Sequence, residues 1–121
     1  MDNAGARRIR LLRLEGTPRE RGRAHGLAYA ASIREYTDER VRLAADGSWA
    51  GRPATRADIL ALAEEMLPLH RAYSADLTDE LEAMAVAAGI SAAEAVIVGG
   101  FTDFVDAVRA RADARDRKSV V

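Results

Sequence analysis

Gly16-Thr17-Pro18-Arg19-Glu20-Arg21-Gly22-Arg23-Ala24-His25-Gly26 is the stretch from which the fold is best read. It has the composition of a helix start. Thr17 stands where an N-cap is needed. Pro18 falls at the first helical position, where a missing N–H costs nothing. Glu20 falls at the third, so Thr17 and Glu20 can form a capping box. Gly22 and Gly26 are four apart and share one face of the helix. Continued, that face takes in Tyr29, Ile33, Tyr36 and then Leu43. The first turns are bare backbone and the later ones carry bulk. A second element is therefore expected to pack closely against the bare part.

Working outward, the chain has 121 residues, enough for one domain with a modest core and too few for two. With 49% hydrophobic and 31% charged residues it has a globular profile, and no apolar run nears the ~20 residues of a membrane span. The net charge of −1 gives no electrostatic footprint for nucleic acid. All the basic residues but Lys118 are Arg, and Ala is abundant, which reads as coding bias rather than an Arg-built site. There is no cysteine, so neither a disulfide nor a thiolate nucleophile can come from this chain. No secretory h-region is visible, and the expected location is cytoplasmic.

In chain order, the near-alternation of Arg8 to Glu15 predicts a short strand over about 8–15, ended by Gly16. One long helix is expected from about 18 to 45, broken by Asp46-Gly47-Ser48. Thr55 and Asp58 then cap a helix over 55–73. Ile59, Leu62, Ala63, Met66, His70 and Tyr73 form its apolar stripe, and Pro68 should kink or split it. Leu77, Leu81, Met84, Ala85 and Ala88 mark a helix over 78–88, stopped by Gly89. Ser91 and Glu94 open a single short turn. Val96-Ile97-Val98 reads as a brief buried strand over 96–98, followed by a Gly99-Gly100 bend. The segment from Phe101 to Val108 fits a helix by spacing, while its β-branched and aromatic content leaves a strand open. Residues 110–121 alternate Arg and Asp and read as a solvated or disordered tail. Two short strands rarely stand alone. Either a partner chain completes the sheet, or the chain is a small helical bundle with one strand pair.

No catalytic set assembles within this chain. His25 and His70 lack the spacing of a metal pair, and His70 sits on an apolar stripe where a hydrogen-bonded core histidine is the simpler reading. Glu64-Glu65 and Asp79-Glu80-Glu82 fit helix surfaces and first turns, where acids are favoured by the dipole. The serines lack a nucleophile-elbow context. Catalytic residues, metal ligands and cofactors are accordingly expected to be none.

The opening stretch, then Tyr36, then Leu77-Thr78-Asp79-Glu80-Leu81-Glu82-Ala83-Met84-Ala85-Val86-Ala87-Ala88-Gly89-Ile90, resembles the N-terminal half of the acyl-coenzyme A:isopenicillin-N (6-aminopenicillanic acid) acyltransferase family. Those are autoproteolytic N-terminal-nucleophile (Ntn) hydrolases. The two blocks match in order and spacing across about residues 9–104. Ala83 and Ala87 depart from the pattern, standing where the family usually has glycine. The resemblance implies an α subunit cut from a precursor, bound to a larger β chain whose N-terminal Cys is the nucleophile. It implies an α+β fold, the mostly helical α-chain part of an αββα sandwich, with two short strands completing a sheet supplied by the partner. It implies transfer of an acyl group from a thioester, on coenzyme A or a carrier protein, or from an amide, to a small-molecule amine, in a natural-product (antibiotic) setting. An amidohydrolase of the same family and a non-catalytic helical interaction module are the alternatives. Phe101, Thr102, Asp103 and Phe104 are the expected substrate contacts. The two rings would hold an acyl or ring group and Asp103 would orient the amine. The alternative for Phe101 and Phe104 is a place in the core.

Overall fold

Pro18 to Ala28 forms helix α1, and its first turn is built as its sequence predicts. The Thr17 hydroxyl accepts from the Glu20 N–H at 3.1 Å, and the Glu20 carboxylate accepts from the Thr17 N–H at 3.1 Å. The computed structural model describes residues 11–47 and 50–119, with side chains to 114. Helix α1 is followed by α2 (Ala30–Asp46), α3 (Arg56–Tyr73), α4 (Ala75–Ala88), α5 (Ala92–Gly99) and α6 (Phe101–Ser119).

The described residues contain helices and no strand, so the α+β expectation is corrected to all-α. Of the strand expected over 8–15, residues 8–10 lie outside the described part. Residues 11–15 carry no regular structure, and Leu11 is 94% exposed. The strand expected over 96–98 is the interior of α5. Ala93, Ala95, Val96 and Ile97 are all buried there, on every side of a short helix. A helix buried all round has no polar face, so its sequence shows a continuous apolar run, which periodicity cannot tell from a buried strand. The capping box of Ser91 and Glu94 decides for helix. The Ser91 hydroxyl accepts from the Glu94 N–H at 3.0 Å and the Glu94 carboxylate accepts from the Ser91 N–H at 2.9 Å. The tail expected from 110 is the continuation of α6 to Ser119, and residues 120–121 lie outside the described part.

The helix expected over 18–45 is two helices. They meet at Tyr29, whose backbone (φ −125°, ψ 26°) serves as the C-cap of α1 and the N-cap of α2. Neither Pro nor Gly marks that position, so the break has no local signal. It separates a helix that packs chiefly on α4 from one that packs on α5, α3 and α4. Helix α3 continues through Pro68, which is exposed. Helix α4 ends at Gly89 in the left-handed region (φ +81°). The Ile90 N–H reaches back to the Ala85 carbonyl at 3.0 Å, a Schellman-type closure that carries Ile90 against the core.

Two buried clusters hold the bundle, and α5 belongs to both. Val96 and Ile97 pack with Val41 and Ala44 of α2, Ile59 and Ala63 of α3, and Phe104, Val105 and Val108 of α6. Ala95 packs with Met84, Ala85 and Ala88 of α4.

Candidate functional site

The bare face of α1 lies on α4. A Cβ on Gly22 would collide with the Glu80 carbonyl, reaching its carbon at 2.9 Å and the Ala83 methyl at 3.1 Å. A Cβ on Gly26 would collide with the Met84 carbonyl and stand 2.8 Å from the Ala87 methyl. Residue 22 faces 80 and residue 26 faces 84, so the helices run parallel. Ala83 and Ala87 thus face Gly22 and Gly26. Each crossing holds one methyl where it has no room for two.

Parallel helices bring like dipole ends together. Acids in the first turns and ion pairs between the helices offset this at the N-terminal end. Arg21 Nε donates to Glu80 at 2.7 Å, and Arg19 donates to Asp79 at 3.0 Å. Arg71, near the end of α3, donates to Asp79 at 3.3 Å and Glu82 at 3.0 Å. Glu82 and then Asp79 push its already high pKa further up. Apart from the half-buried Arg21–Glu80 pair these are exposed and fix orientation more than stability.

The corner between α3 and α4 forms one wall of a cleft of about 500 Å³. Ser74 alone separates α3 from α4. Its N–H donates to the His70 carbonyl at 2.9 Å and its hydroxyl caps α4, accepting from the Leu77 N–H at 3.2 Å. This tight corner places Leu69, His70 and Tyr73 of α3 opposite Leu77, Thr78 and Leu81 of α4. The joint between α5 and α6 closes the floor with Val96, Gly99, Gly100 and Asp103. Leu69, Tyr73 and Leu77 are 70%, 87% and 60% exposed, so the cleft is an apolar groove with a wide mouth.

Of the four expected substrate contacts, Asp103 alone lines this groove. Phe104 is 0% exposed and belongs to the main core, and Thr102 is exposed to solvent. Phe101 is half-buried, packed against that core, with the Arg40 guanidinium 5.1 Å from its ring centroid. Helical rotation separates the four: consecutive residues point about 100° apart. The groove residues that sequence reading missed are Leu69 and Leu77 with Tyr73. Tyr73 was assigned to the buried stripe of its helix, but the turn at Ser74 carries it out of the core.

Among the described residues no three His, Asp or Glu side chains gather as metal ligands. No single described helix is long and apolar enough to cross a membrane. Compared with protein-family models, curated proteins and solved structures, the chain matches none.

Proposed function

We propose that this chain is the α subunit of a self-cleaved cysteine acyltransferase of the Ntn type, whose nucleophile is the N-terminal Cys of a larger partner chain. The observation that carries the reading is the pairing of α1 with α4. The two stretches on which the family resemblance rests are far apart in sequence, yet they form one helix pair in backbone contact. The small residues of each are explained by the other. The groove beside that pair supplies an apolar wall for an acyl group, and Asp103 supplies a carboxylate for an amine.

In the proposed reaction the partner's thiol, deprotonated by its own α-amine, attacks the acyl carbon of a thioester. The donor thiol leaves, and an enzyme thioester remains. The incoming amine then attacks that carbon, an amide forms and the cysteine is released. With an amide as the acyl donor, its amine leaving as the enzyme thioester forms, and water as the acceptor, the same site would be an amidohydrolase.

The all-helical architecture favours a second reading, a helical interaction module that works without catalysis. Its buried clusters are made from its helices together with Ala50 of the loop between α2 and α3. Product analysis separates the readings. The chain, with any partner that copurifies, is supplied with an acyl thioester and an amine. Amide formation supports the acyltransferase, and acid alone supports the hydrolase. Neither product, with no second chain present, supports the interaction module. Asp103→Asn should raise KM for the amine several-fold if Asp103 orients it, through loss of a charge-assisted hydrogen bond.

A further inference from the structure

We propose that the groove at the corner of α3 and α4 selects one class of acceptor, a primary amine with an apolar body and no acid group of its own. The inference deepens the acceptor side of the reading above, and rests on that reading only for the bound amine's going on to react. The cleft of about 500 Å³ has the size of a small-molecule site. Leu69, Tyr73, Leu77 and Leu81 make its walls. The first three are mostly exposed, so an apolar body laid against them removes their surface from water.

Charge fixes the other end of the ligand. Among the described residues Asp103 is the one carboxylate that lines the groove, and no arginine or lysine lines it, although arginine is abundant in the chain. Several acids elsewhere on the surface are already met by a cation. Glu65 has Arg111 at 2.6 Å, Asp79 has Arg19 at 3.0 Å, Glu80 has Arg21 at 2.7 Å and Glu94 has Arg56 at 3.0 Å. Among the described residues nothing pairs with the Asp103 carboxylate. The Thr78 hydroxyl already donates to the Ser74 carbonyl at 2.8 Å. An ammonium on the ligand gives Asp103 a charge-assisted hydrogen bond at the edge of an apolar wall. A carboxylate on the same ligand would face Asp103 with no guanidinium or ammonium beside it, and like charges repel. The groove therefore separates a simple apolar amine from an amino acid built on the same body.

The test is an NMR titration of the full chain, with any partner that copurifies, at neutral pH and matched ionic strength. It is read at the backbone amides from Gly99 to Asp103 and at the methyls of Leu69 and Leu77. The probes share a phenyl body: phenethylamine, phenethyl alcohol, phenylpropionate and phenylalanine. Ethylamine supplies the charge without the body. Phenethylamine should saturate at several-fold lower concentration than the alcohol or phenylalanine. Phenylpropionate should bind more weakly than the alcohol, and ethylamine should not saturate. Asp103→Asn should bring the affinity for the amine down to that for the alcohol and leave the alcohol unchanged. Asp106→Asn removes an exposed acid of α6 outside the groove and should change neither. Leu77→Ala should weaken amine and alcohol alike, which covers the case in which Asp103→Asn loosens α6. The proposal is overturned if no probe saturates, or if the alcohol, phenylpropionate or phenylalanine binds as tightly as phenethylamine. It is equally overturned if Asp103→Asn or Leu77→Ala leaves amine binding unchanged, or if Asp106→Asn weakens it as much as Asp103→Asn. Adding an acyl thioester separates the two readings. Selective amine binding without amide formation sinks the acyltransferase and leaves the selectivity of the groove standing. Amide formation with phenylalanine as good an acceptor as phenethylamine does the reverse.

Discussion

At the scale of single residues, Gly22 and Gly26 do the most to define the molecule. Helix propensity alone makes Gly→Ala stabilising by roughly 1 kcal/mol in a helix interior. Here the added methyl meets backbone of α4, which cannot swing aside as a side chain would. Overpacking of this kind costs about 1–3 kcal/mol, so each of Gly22→Ala and Gly26→Ala should destabilise despite the gain in propensity. Urea denaturation checks the sign, and a raised midpoint would place α1 farther from α4 than described.

Glu20 gives a pH signature at the same scale. The hydrogen bonds of its carboxylate to the Thr17 backbone, and then to the Thr17 side chain, hold its pKa below the ordinary glutamate value. A depressed folded-state pKa means stability that is present above the unfolded value and lost as pH falls through the folded one. The cap should therefore loosen only in acid, below the usual carboxylate range. An NMR titration of the Glu20 side chain should find its midpoint under that of glutamate in a short unstructured peptide. In Glu20→Gln, hydrogen exchange of the Thr17 amide should lose its acid dependence.

At the scale of elements, boundaries were legible where local chemistry sets them. The capping boxes at Thr17 and Ser91, the cap at Thr55 and the stop at Gly89 all rest on hydrogen bonds within a few residues. The break at Tyr29 was not legible, because packing against different neighbours sets it. Val96-Ile97-Val98 was misread because a helix enclosed on all sides loses the polar face that would reveal its period. The Arg and Asp alternation after Ala110 was misread as a tail, although such residues also suit an exposed helix. The aromatic pair was split by helical rotation, which put Phe104 in the core and Asp103 at the groove.

Pro68 supplies the prediction for this scale. It lies within α3, is exposed, and has no N–H to give the Glu64 carbonyl. Pro68→Ala restores that donor and should raise stability by about 1–3 kcal/mol, seen as a higher urea midpoint with unchanged slope. A fall would mean that the bend at Pro68 is needed to bring the end of α3 to the corner at Ser74.

At the scale of the whole molecule, the helices and the loop at Ala50 bury a core, while one apolar face stays exposed. Leu69, Tyr73 and Leu77 stand exposed around a groove walled by the ends of α3 and α4. Exposed apolar side chains grouped around a cleft mark a place for a ligand or a partner, whereas scattered ones need no explanation. The resemblance that suggested a partner rested on residues whose packing now has a physical reason. The sheet that the same resemblance implied is absent among the described residues. What the sequence could not carry was the placement of the groove, since it depends on one turn at Ser74 that brings two helix ends together.

The claim that this bundle works as one subunit of a self-cleaved enzyme is tested most directly by native mass spectrometry, with N-terminal sequencing, of the product of the gene expressed with whatever coding sequence follows Val121. The account predicts a one-to-one complex with a larger chain whose first residue is cysteine. A single species containing only this chain, or a second chain beginning with any other residue, would contradict it.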